Sequence, residues 1–513
     1  MSISSLRDNV SAAFGRLFDA LADQRRGERT VVAVLALYAG VWTLYGVIAK
    51  GSQDIHVDMG EQIAWSRDLA LGYLKHPPLA AVVVKLWFEL FPVADWSYYL
   101  LAMLVAALAL WIAWRLSADY LDAEKRVVAL ALLTLIPFFN FHALKFNVNT
   151  VLMPLWAMTT LWFLRSFATR SASYAALAGI AAAACVLGKY WSIFLLIGLG
   201  LAAVLDPRRG AYFRSAAPWI TIVAGLLALS PHIGWLIEHG FAPFGYAMAV
   251  HGDKPFATAA LAALGYLGGA LGYVAVAVVL AVLAARPSRA AFADLAWPAS
   301  LDRRLVAVAF WAPLLIPAVV ATASGIEITS LWSMPMWALM PVVLLSSPRV
   351  TVPRAAAIRI LATAVVAPLL FLAAAPVVAI VVHRQGLPNF ATHYRLVAQA
   401  VERTWRETTD RPLRLIGSYN NLLYGTVFYF ADRPSTLDVV SPYLMPWTDE
   451  ARIARDGIAL FCPANENPCL TALNERAARA PAARRAEVDI ARTYFGVADQ
   501  PMRYVIVTIP PRR

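Results

Sequence analysis

The stretch DMGEQIAWSRDLALGYLKHPPL, residues 58–79, places several titratable side chains directly after a long apolar segment. Asp58 and Glu61 are three residues apart, so they share a face if the stretch is helical. Two carboxylates so placed could divide the roles of a base and an orienting group, or one could be held by a metal ion. An ordinary solvated loop at a membrane edge explains the same spacing equally well.

Lys75 and His76 stand directly before Pro77 and Pro78 and an apolar helical pattern. Proline is favoured at the first turn of a helix, so this corner would hold two cationic donors at the level of lipid headgroups. Such donors suit phosphate. The alternative is a role in topology alone, which the positive-inside rule disfavours for a lysine outside the cytoplasm. We therefore predict phosphate binding at Lys75 and His76.

A second polar group lies in HALKFNVNTVLMPLW, residues 142–156, where an apolar helix begins. Lys145, Asn147 and Asn149 all fall in this segment. Asn149 taken alone is more typical of a helix N-cap than of a ligand contact. Lys189 separates two apolar segments, where a lysine either reaches toward the membrane surface or binds a charged partner. For Lys189 we favour a phosphate partner.

The elements that must position these residues are membrane helices. Of the 513 residues, 60% are hydrophobic and 15% are charged, whereas soluble domains carry about 25% charged residues. A spanning helix needs about 20 apolar residues. We predict an α-helical polytopic membrane protein with about eleven transmembrane helices, near residues 30–49, 96–117, 127–143, 148–165, 173–188, 190–205, 217–237, 258–285, 305–323, 331–347 and 360–382.

The basic residues predict the orientation of these helices. The net charge is +12, but the lysines and arginines lie mostly between apolar segments. That distribution is typical of topology signals, and no nucleic-acid partner is expected. One set of connections is rich in arginine, and the positive-inside rule places that set in the cytoplasm. The N-terminal tail, residues 1–29, is then cytoplasmic, and with an odd number of spans residues 384–513 lie outside. The site residues share the outer face.

Two regions outside the membrane have structure of their own. In the first outer loop, residues 50–95, PLAAVVVKLWFELF has helical spacing with only two charges, which predicts an interfacial helix. Residues 384–513 contain the helix-like HYRLVAQAVERTW and the strand-like runs LRLIGSY, GIALFCP and RYVIVTIPP, which predict a small α/β domain. Residues 30–383 form the transmembrane domain. Cys462 and Cys469 could form a disulfide if this domain faces an oxidising compartment.

These motifs resemble those of the glycosyltransferase family 39 group, which includes protein O-mannosyltransferases and lipid A aminoarabinose transferases of the C-type (GT-C) superfamily. Members usually have an Asp-Glu pair, followed by Gly-Tyr and then His-Pro-Pro-Leu. In this sequence Asp58 matches the Asp, Gly72-Tyr73 match the Gly-Tyr, and residues 76–79 match His-Pro-Pro-Leu. FNVNTVLMPLWAMTTLWFL and CVLGKYWSIFLL are similar to later motifs. Met59 stands where the Glu of the pair is usual, and Asn149 stands where an Asp is common.

The resemblance implies a transferase that moves a hexosyl or pentosyl group from a polyprenyl-phosphate sugar to a lipid, glycan or protein acceptor. It implies a site at the periplasmic face of the bacterial inner membrane, inversion at the anomeric carbon, and a lipid-facing groove for the polyprenyl tail. Asp58 would be the base for an acceptor hydroxyl, with Glu61 as a supporting acid. For a phosphate acceptor, Asp58 would instead orient it or steady positive charge on the sugar. The donor phosphate would be bound by Lys75, His76 and Lys189, and further substrate contacts would come from Tyr73, Lys145, Asn147 and Asn149. A divalent metal ion is left open.

A flippase or transporter of lipid-linked saccharides is the alternative. Transporters often show repeated halves and place their binding sites near the membrane midplane, and the sequence shows neither pattern. It also contains no P-loop and no HExxH motif, so the sequence lacks the signatures of nucleotide-driven transport and of zinc proteolysis.

Overall fold

The computed structural model of the protein describes residues 3–387 and 391–512. Helices dominate the part before residue 387. They are α1 (Ile3–Ala22), α2 (Gly27–Ala49), α3 (Val57–Arg67), α4 (Leu79–Leu90), α5 (Asp95–Ser117), α6 (Ala123–Thr134), α7 (Val148–Thr169), α8 (Ala172–Gly188), α9 (Ile193–Leu205), α10 (Arg209–Phe213), α11 (Ala217–Glu238), α12 (Ala242–His251), α13 (Phe256–Ala285), α14 (Arg289–Ala296), α15 (Leu301–Ala323), α16 (Met340–Leu345) and α17 (Arg354–Gln385). Short 3₁₀ helices cover Pro137–Phe139, Tyr190–Ser192 and Ser330–Leu339.

Seven helices among the described residues are long and apolar enough to cross a membrane, namely α2, α5, α7, α11, α13, α15 and α17. Three more predicted spans coincide with shorter apolar helices, Ala172–Gly188, Tyr190–Leu205 and Ser330–Leu345. The predicted span at 127–143 is α6, which ends at Thr134. An apolar helical bundle is thus present, and the number of helices that cross the membrane stays a prediction.

Residues 50–95, the predicted first outer loop, contain two short helices, α3 and α4. Helix α4 begins after Pro78, as the proline corner predicts, and it buries its small side chains together with Phe88. Its larger apolar residues Leu86 and Leu90 remain exposed. Lys85 and Glu89 form an ion pair of 3.6 Å on the surface of the helix. The helix thus packs by one face and leaves bulky apolar side chains exposed, and its interfacial position stays a prediction.

The C-terminal domain has a five-stranded mixed sheet. Its strand order is β2-β1-β3-β7-β4, with β1 parallel to β2 and β3, and β7 antiparallel to β3 and β4. The elements are α18 (Tyr394–Thr408), β1 (Leu415–Ser418), α19 (Asn420–Val427), β2 (Ser435–Asp438), α20 (Glu450–Asp456), β3 (Ile458–Pro463), α21 (Asn467–Ala478), β4 (Arg484–Ile490), β5 (Thr493–Tyr494), β6 (Val497–Ala498) and β7 (Met502–Ile509). A short 3₁₀ helix covers Pro442–Leu444, and β5 pairs with β6 as a separate hairpin.

The predicted helix and all three predicted strands of this domain are present, as α18, β1, β3 and β7. The strands were recognisable because buried strands read as short apolar runs rich in β-branched residues. Cys462 and Cys469 are joined by a disulfide that links β3 to α21.

The C-terminal domain packs directly on α3. The Arg67 guanidinium donates hydrogen bonds of 2.7 Å to two backbone carbonyls of this domain, and Asp68 forms an ion pair of 3.0 Å with Arg452. Gly60 lies against the Tyr424 carbonyl so closely that a Cβ would come within 1.7 Å of it. Helix α3 is therefore held between the bundle and the C-terminal domain, together with the acidic residues that it carries.

Candidate functional site

Asp58 lies in the first turn of α3, and three side chains converge on its carboxylate. The Lys145 ammonium is 3.2 Å away, and the Asn147 amide donates a hydrogen bond of 3.0 Å. His56 is the N-cap of α3, because its Nδ1 accepts from the Asp58 backbone amide. The same Nδ1 is 3.5 Å from the carboxylate. The predicted residues Asp58, Lys145 and Asn147 therefore meet at one point.

These neighbours determine the charge of Asp58. Burial on its own would raise the pKa of this carboxyl, but Lys145, His56 and Asn147 together outweigh burial and hold the pKa at about 2. The side chain remains about one-third exposed. Asp58 is thus an ionised carboxylate that a substrate could still reach.

Asn147 owes its position to the start of α7. The side-chain oxygen of Asn147 accepts hydrogen bonds from the backbone amides of Asn149 and Thr150. In return, the Thr150 hydroxyl accepts a hydrogen bond from the backbone amide of Asn147. This reciprocal capping box satisfies free amides at the helix start. The prediction that Asn149 is the N-cap was wrong. The helix begins one residue before Asn149, which leaves the Asn149 side chain free for another partner.

That partner is Lys189. The lysine stands between α8 and the following 3₁₀ turn, as its position between two apolar segments predicts, and it is 9% exposed. Its ammonium donates a hydrogen bond of 3.0 Å to the Asn149 side-chain oxygen and lies 4.6 Å from the centre of the Trp332 ring. A cation over an indole face is stabilised without a carboxylate. Burial, and next the charge of Lys75, lower the pKa of Lys189 to about 7, so an anion bound beside the lysine would favour its charged form.

Lys75 and Glu61 form the other charged pair of the site. Their side chains are 2.6 Å apart, and the residue Glu61 is 4% exposed. Burial opposes the charge of Lys75, but the Glu61 carboxylate outweighs burial and raises the pKa of the lysine. Glu61 is thus occupied in holding Lys75. The two carboxylates of α3 serve two different lysines and do not act as one acidic pair.

His76 adds a neutral donor beside these charges. Burial, and next the charges of Lys75 and Lys189, hold the pKa of His76 well below its usual value. The imidazole is therefore uncharged near neutral pH and can donate one N–H. Lys75, His76 and Lys189, predicted as the phosphate-binding set, lie within electrostatic reach of one another.

The described residues provide no preformed cluster of ligands for a divalent metal ion. Across residues 3–387 and 391–512, no group of three or more His, Cys, Asp and Glu side chains could hold one. Asp58 and Glu61 each face a lysine instead of sharing a centre. A divalent cation at this site would need further oxygen ligands, such as a substrate phosphate.

Tyr73 is largely buried, but it lines a small pocket beside Glu61 and Lys75, and its contact with a substrate stays a prediction. It is 3% exposed, its ring stacks on Trp65, and its hydroxyl donates a hydrogen bond of 2.9 Å to the Trp65 carbonyl. The Gly72-Tyr73 pair also fixes the corner that precedes Lys75. The reason is steric, because Gly72 packs against the Trp235 ring and has no room for a Cβ.

Several residues near the site were not predicted to act there. One is Trp332, whose ring carries the Lys189 ammonium 4.6 Å from its centre. Tyr246 from α12 and Tyr424 from the C-terminal domain line a small pocket together with Glu61 and Lys75. Nothing in the sequence marks Tyr424 as a site residue, because it approaches the site only when the C-terminal domain packs on α3.

Comparisons with known proteins bear on this arrangement. A family model described as dolichyl-phosphate-mannose-protein mannosyltransferase matches residues 75–235. The match covers less than a third of the chain, yet it includes Lys75, His76 and Lys189. Lipid A galacturonosyltransferase RgtD from Rhizobium johnstonii is 25% identical over 201 residues, which is 39% of this chain and 42% of that relative. The aligned part thus spans less than half of the relative.

The fold has close counterparts among solved structures. ArnT from Cupriavidus metallidurans bound to undecaprenyl phosphate superposes with a TM-score of 0.60 at 13% sequence identity, over 93% of this chain and 97% of that one. Its apo structure gives a TM-score of 0.59 at 12% identity over the same shares. At this level of sequence identity, the structural similarity is evidence for the fold alone. The chain has an ArnT-like fold. The predicted fold class and the predicted resemblance are both confirmed.

Proposed function

We propose that this chain is an integral membrane glycosyltransferase that moves a sugar from a polyprenyl-phosphate-linked donor to an acceptor, with inversion. The single observation that carries the proposal is the gathering of Asp58, Lys75, His76 and Lys189 at one end of the bundle. The resemblance to the mannosyltransferase family model, the similarity to RgtD and the ArnT-like fold support it.

Lys75, His76 and Lys189 form the donor end of the site. As the bond between the anomeric carbon and the phosphate oxygen breaks, negative charge grows on the departing polyprenyl phosphate. Fixed positive groups aimed at that oxygen stabilise the transition state. The two lysines supply charge, and the neutral His76 supplies an N–H donor. Their neighbours Glu61, Asn149 and Trp332 hold both lysines in place before the substrate arrives.

Asp58 faces the acceptor end. The acceptor oxygen forms a bond to the anomeric carbon while the electron pair of the old bond leaves with the phosphate, which inverts that carbon. A carboxylate whose pKa is about 2 is a weak base near neutral pH, because general bases work best when their pKa lies near the working pH. We therefore assign Asp58 chiefly to orienting the acceptor and steadying positive charge on the sugar. With a hydroxyl acceptor it also receives the proton.

Lysines also lie near the acceptor side. Lys145 pairs with Asp58 at 3.2 Å. Lys50 follows the end of α2, and burial together with the nearby charge of Lys145 lowers its pKa. These two lysines would suit an acceptor that carries a phosphate, which needs no base. A lipid, a glycan and a protein all remain acceptor classes for the assay below.

We propose the periplasmic face of the bacterial inner membrane as the location of the site. Arginine ion pairs lie at the opposite end of the bundle, among them Arg115 with Glu28 and Arg165 with Asp119. An excess of arginine is typical of the cytoplasmic side. The Cys462–Cys469 disulfide suits a C-terminal domain in an oxidising compartment. The proposed units are the tail 1–29, the transmembrane domain 30–383 and the outer domain 384–513.

The test is donor turnover by the purified protein in lipid nanodiscs. A panel of undecaprenyl-phosphate sugars would be supplied with envelope lipids, envelope glycans or peptides, and released undecaprenyl phosphate would be measured. We expect release with at least one donor and acceptor pair. Glu89→Gln, which removes an exposed carboxylate of α4, should leave the rate unchanged. Absence of release across the whole panel would contradict the proposed function, as would transport of intact donor without cleavage.

A further inference from the structure

A cleft in the C-terminal domain shares no residue with the site around Asp58. Its volume is about 800 Å³, within the range of about 300–1,000 Å³ typical of sites for small organic ligands. The walls come from the end of α18, from α20, from the end of α21 and from the segment that follows β7. The cleft is therefore built from four parts of the fold that meet where β7 ends beside the start of β3.

Arginine dominates the charge of this cleft. Its lining holds four arginines and one carboxylate, and these residues are Arg411, Arg476, Arg479, Arg512 and Glu450. Glu450 pairs with Arg476 at 2.8 Å. Arg411 and Arg512 form no ion pair among the described residues, and Arg479 only approaches Glu475, at 4.0 Å within its own helix. Three guanidinium groups thus line the cleft without a strong acidic partner.

The backbone of the two unpaired arginines is fixed. The Trp405 indole donates a hydrogen bond of 2.7 Å to the Arg411 carbonyl, and the Arg512 amide donates one of 2.9 Å to the Ala454 carbonyl. Fixed backbone positions reduce the ordering that a bound ligand must induce. A planar guanidinium binds phosphate or carboxylate through two parallel hydrogen bonds.

The rest of the lining suits a sugar. Ile453, Ile509 and the two prolines that follow β7 give an apolar surface, and Thr409 contributes a hydroxyl. Sugars combine apolar ring faces with hydroxyl groups, so a wall of this kind contacts both parts. An inorganic ion alone would use the arginines and leave most of this surface unused.

From this charge and shape we propose that the cleft binds an anionic saccharide, that is, a sugar bearing phosphate or carboxylate groups. The anion is held by Arg411, Arg479 and Arg512, and the ring packs on the isoleucine and proline surface. This is a second ligand site, separate from the one that carries transfer, and it does not depend on the proposed function.

The experiment is calorimetric titration of the full chain in neutral phosphatidylcholine nanodiscs with trehalose 6-phosphate as the probe. Trehalose and inorganic phosphate are the comparison ligands. We expect the phosphorylated disaccharide to bind, neutral trehalose to show no binding, and inorganic phosphate to bind at least tenfold more weakly. Affinity for the probe should fall as salt is raised, because the arginines are solvent accessible.

The variants decide whether the cleft is the site. Arg411→Gln combined with Arg512→Gln should weaken probe binding at least tenfold. Arg406→Gln is the matched control, since Arg406 lies on α18, is 69% exposed and pairs with Glu402. It should not change the affinity. Donor turnover and the melting temperature should be unchanged in the double variant, which separates loss of the cleft from loss of folding or of transfer.

Three results would overturn the proposal. One is equal binding of trehalose and its phosphate, and another is probe binding that survives the double variant. The third concerns the source of the anion. If nanodiscs containing phosphatidylglycerol abolish probe binding in the wild type, a lipid headgroup occupies the cleft and the saccharide assignment is wrong.

Discussion

The side-chain amide of Asn147 donates a hydrogen bond of 3.0 Å to the carboxylate of Asp58, although 89 positions separate the two residues in the sequence. Asn147 is also the N-cap of α7. One side chain therefore connects the start of a membrane helix to the acid of the first outer loop. A movement of α3 away from α7 would break this contact but would leave the N-cap of α7 intact.

Substitutions of Asn147 should separate these two roles. Asn147→Ala removes the cap and the contact, so we expect a loss of about 1 kcal/mol in stability together with a lower turnover. Asn147→Asp keeps a good N-cap but puts a second negative charge beside Asp58. Its melting temperature should stay near that of the wild type while turnover falls at least tenfold. Equal activity of Asn147→Asp and the wild type would show that the contact has no part in transfer.

Lys189 should act on the donor through its charge. Lys189→Met removes a fixed positive group from the leaving phosphate, and losing one such group typically lowers turnover by about 10²–10³-fold. Steady-state kinetics with a polyprenyl-phosphate sugar would measure this. Lys85→Met is the control, because Lys85 is a surface lysine of α4. A drop of the same size in both variants would point to a general effect of membrane charge.

His56 predicts a pH dependence of stability. Burial is the main cause that lowers the pKa of His56, to about 4, from an ordinary value of 6.5. In the unfolded chain His56 takes up its proton near pH 6.5, whereas in the folded chain it does so only near pH 4. The unfolded state thus binds more protons in that window, and the free energy of unfolding must fall as the pH falls from about 6.5 to about 4.

The measurement is the melting temperature of the protein in detergent between pH 7.5 and pH 4. His56→Asn keeps an N-cap of similar quality for α3 but cannot titrate. As the pH falls over this window, the melting temperature of the variant should decrease less than that of the wild type. Parallel curves for the two proteins would show that His56 does not titrate with folding.

Gly60 tests the packing of the C-terminal domain on α3. A Cβ at this position would stand 1.7 Å from the Tyr424 carbonyl oxygen, so Gly60→Ala must push the domain or the helix aside. We expect a loss of about 1–3 kcal/mol and reduced turnover, because α3 carries Asp58 and Glu61. Gly40→Ala is the matched control in α2, where a Cβ meets no atom within 4 Å. A stable and fully active Gly60→Ala would argue against this interface.

Much of the site was accessible from the sequence because its residues lie close together along the chain. Asp58, Lys75 and His76 are crowded into one loop, and Lys189 interrupts two apolar segments where a charge is costly. The three strands of the C-terminal domain were recognisable from short apolar runs. These patterns are local in the sequence, so they can be recognised without knowledge of the fold.

The remaining features depend on contacts between distant segments. The stacking of Tyr73 on Trp65 appears only once the loop closes. Trp332 is far from Lys189 in the sequence, and its ring meets the lysine only in the folded chain. The cap of α7 was misassigned because a helix start shifted by a residue or two exchanges the roles of Asn147 and Asn149. The pairing of Glu61 with Lys75 likewise required the loop to fold back on itself.

In the proposed mechanism Asp58 acts on the transfer step while the lysines and His76 bind the donor. Asp58→Asn would be compared with the wild type in two assays, donor binding and single-turnover release of polyprenyl phosphate. We expect donor affinity within a few-fold of the wild type and release slowed by at least 100-fold. Release at the wild-type rate in Asp58→Asn would contradict this mechanism.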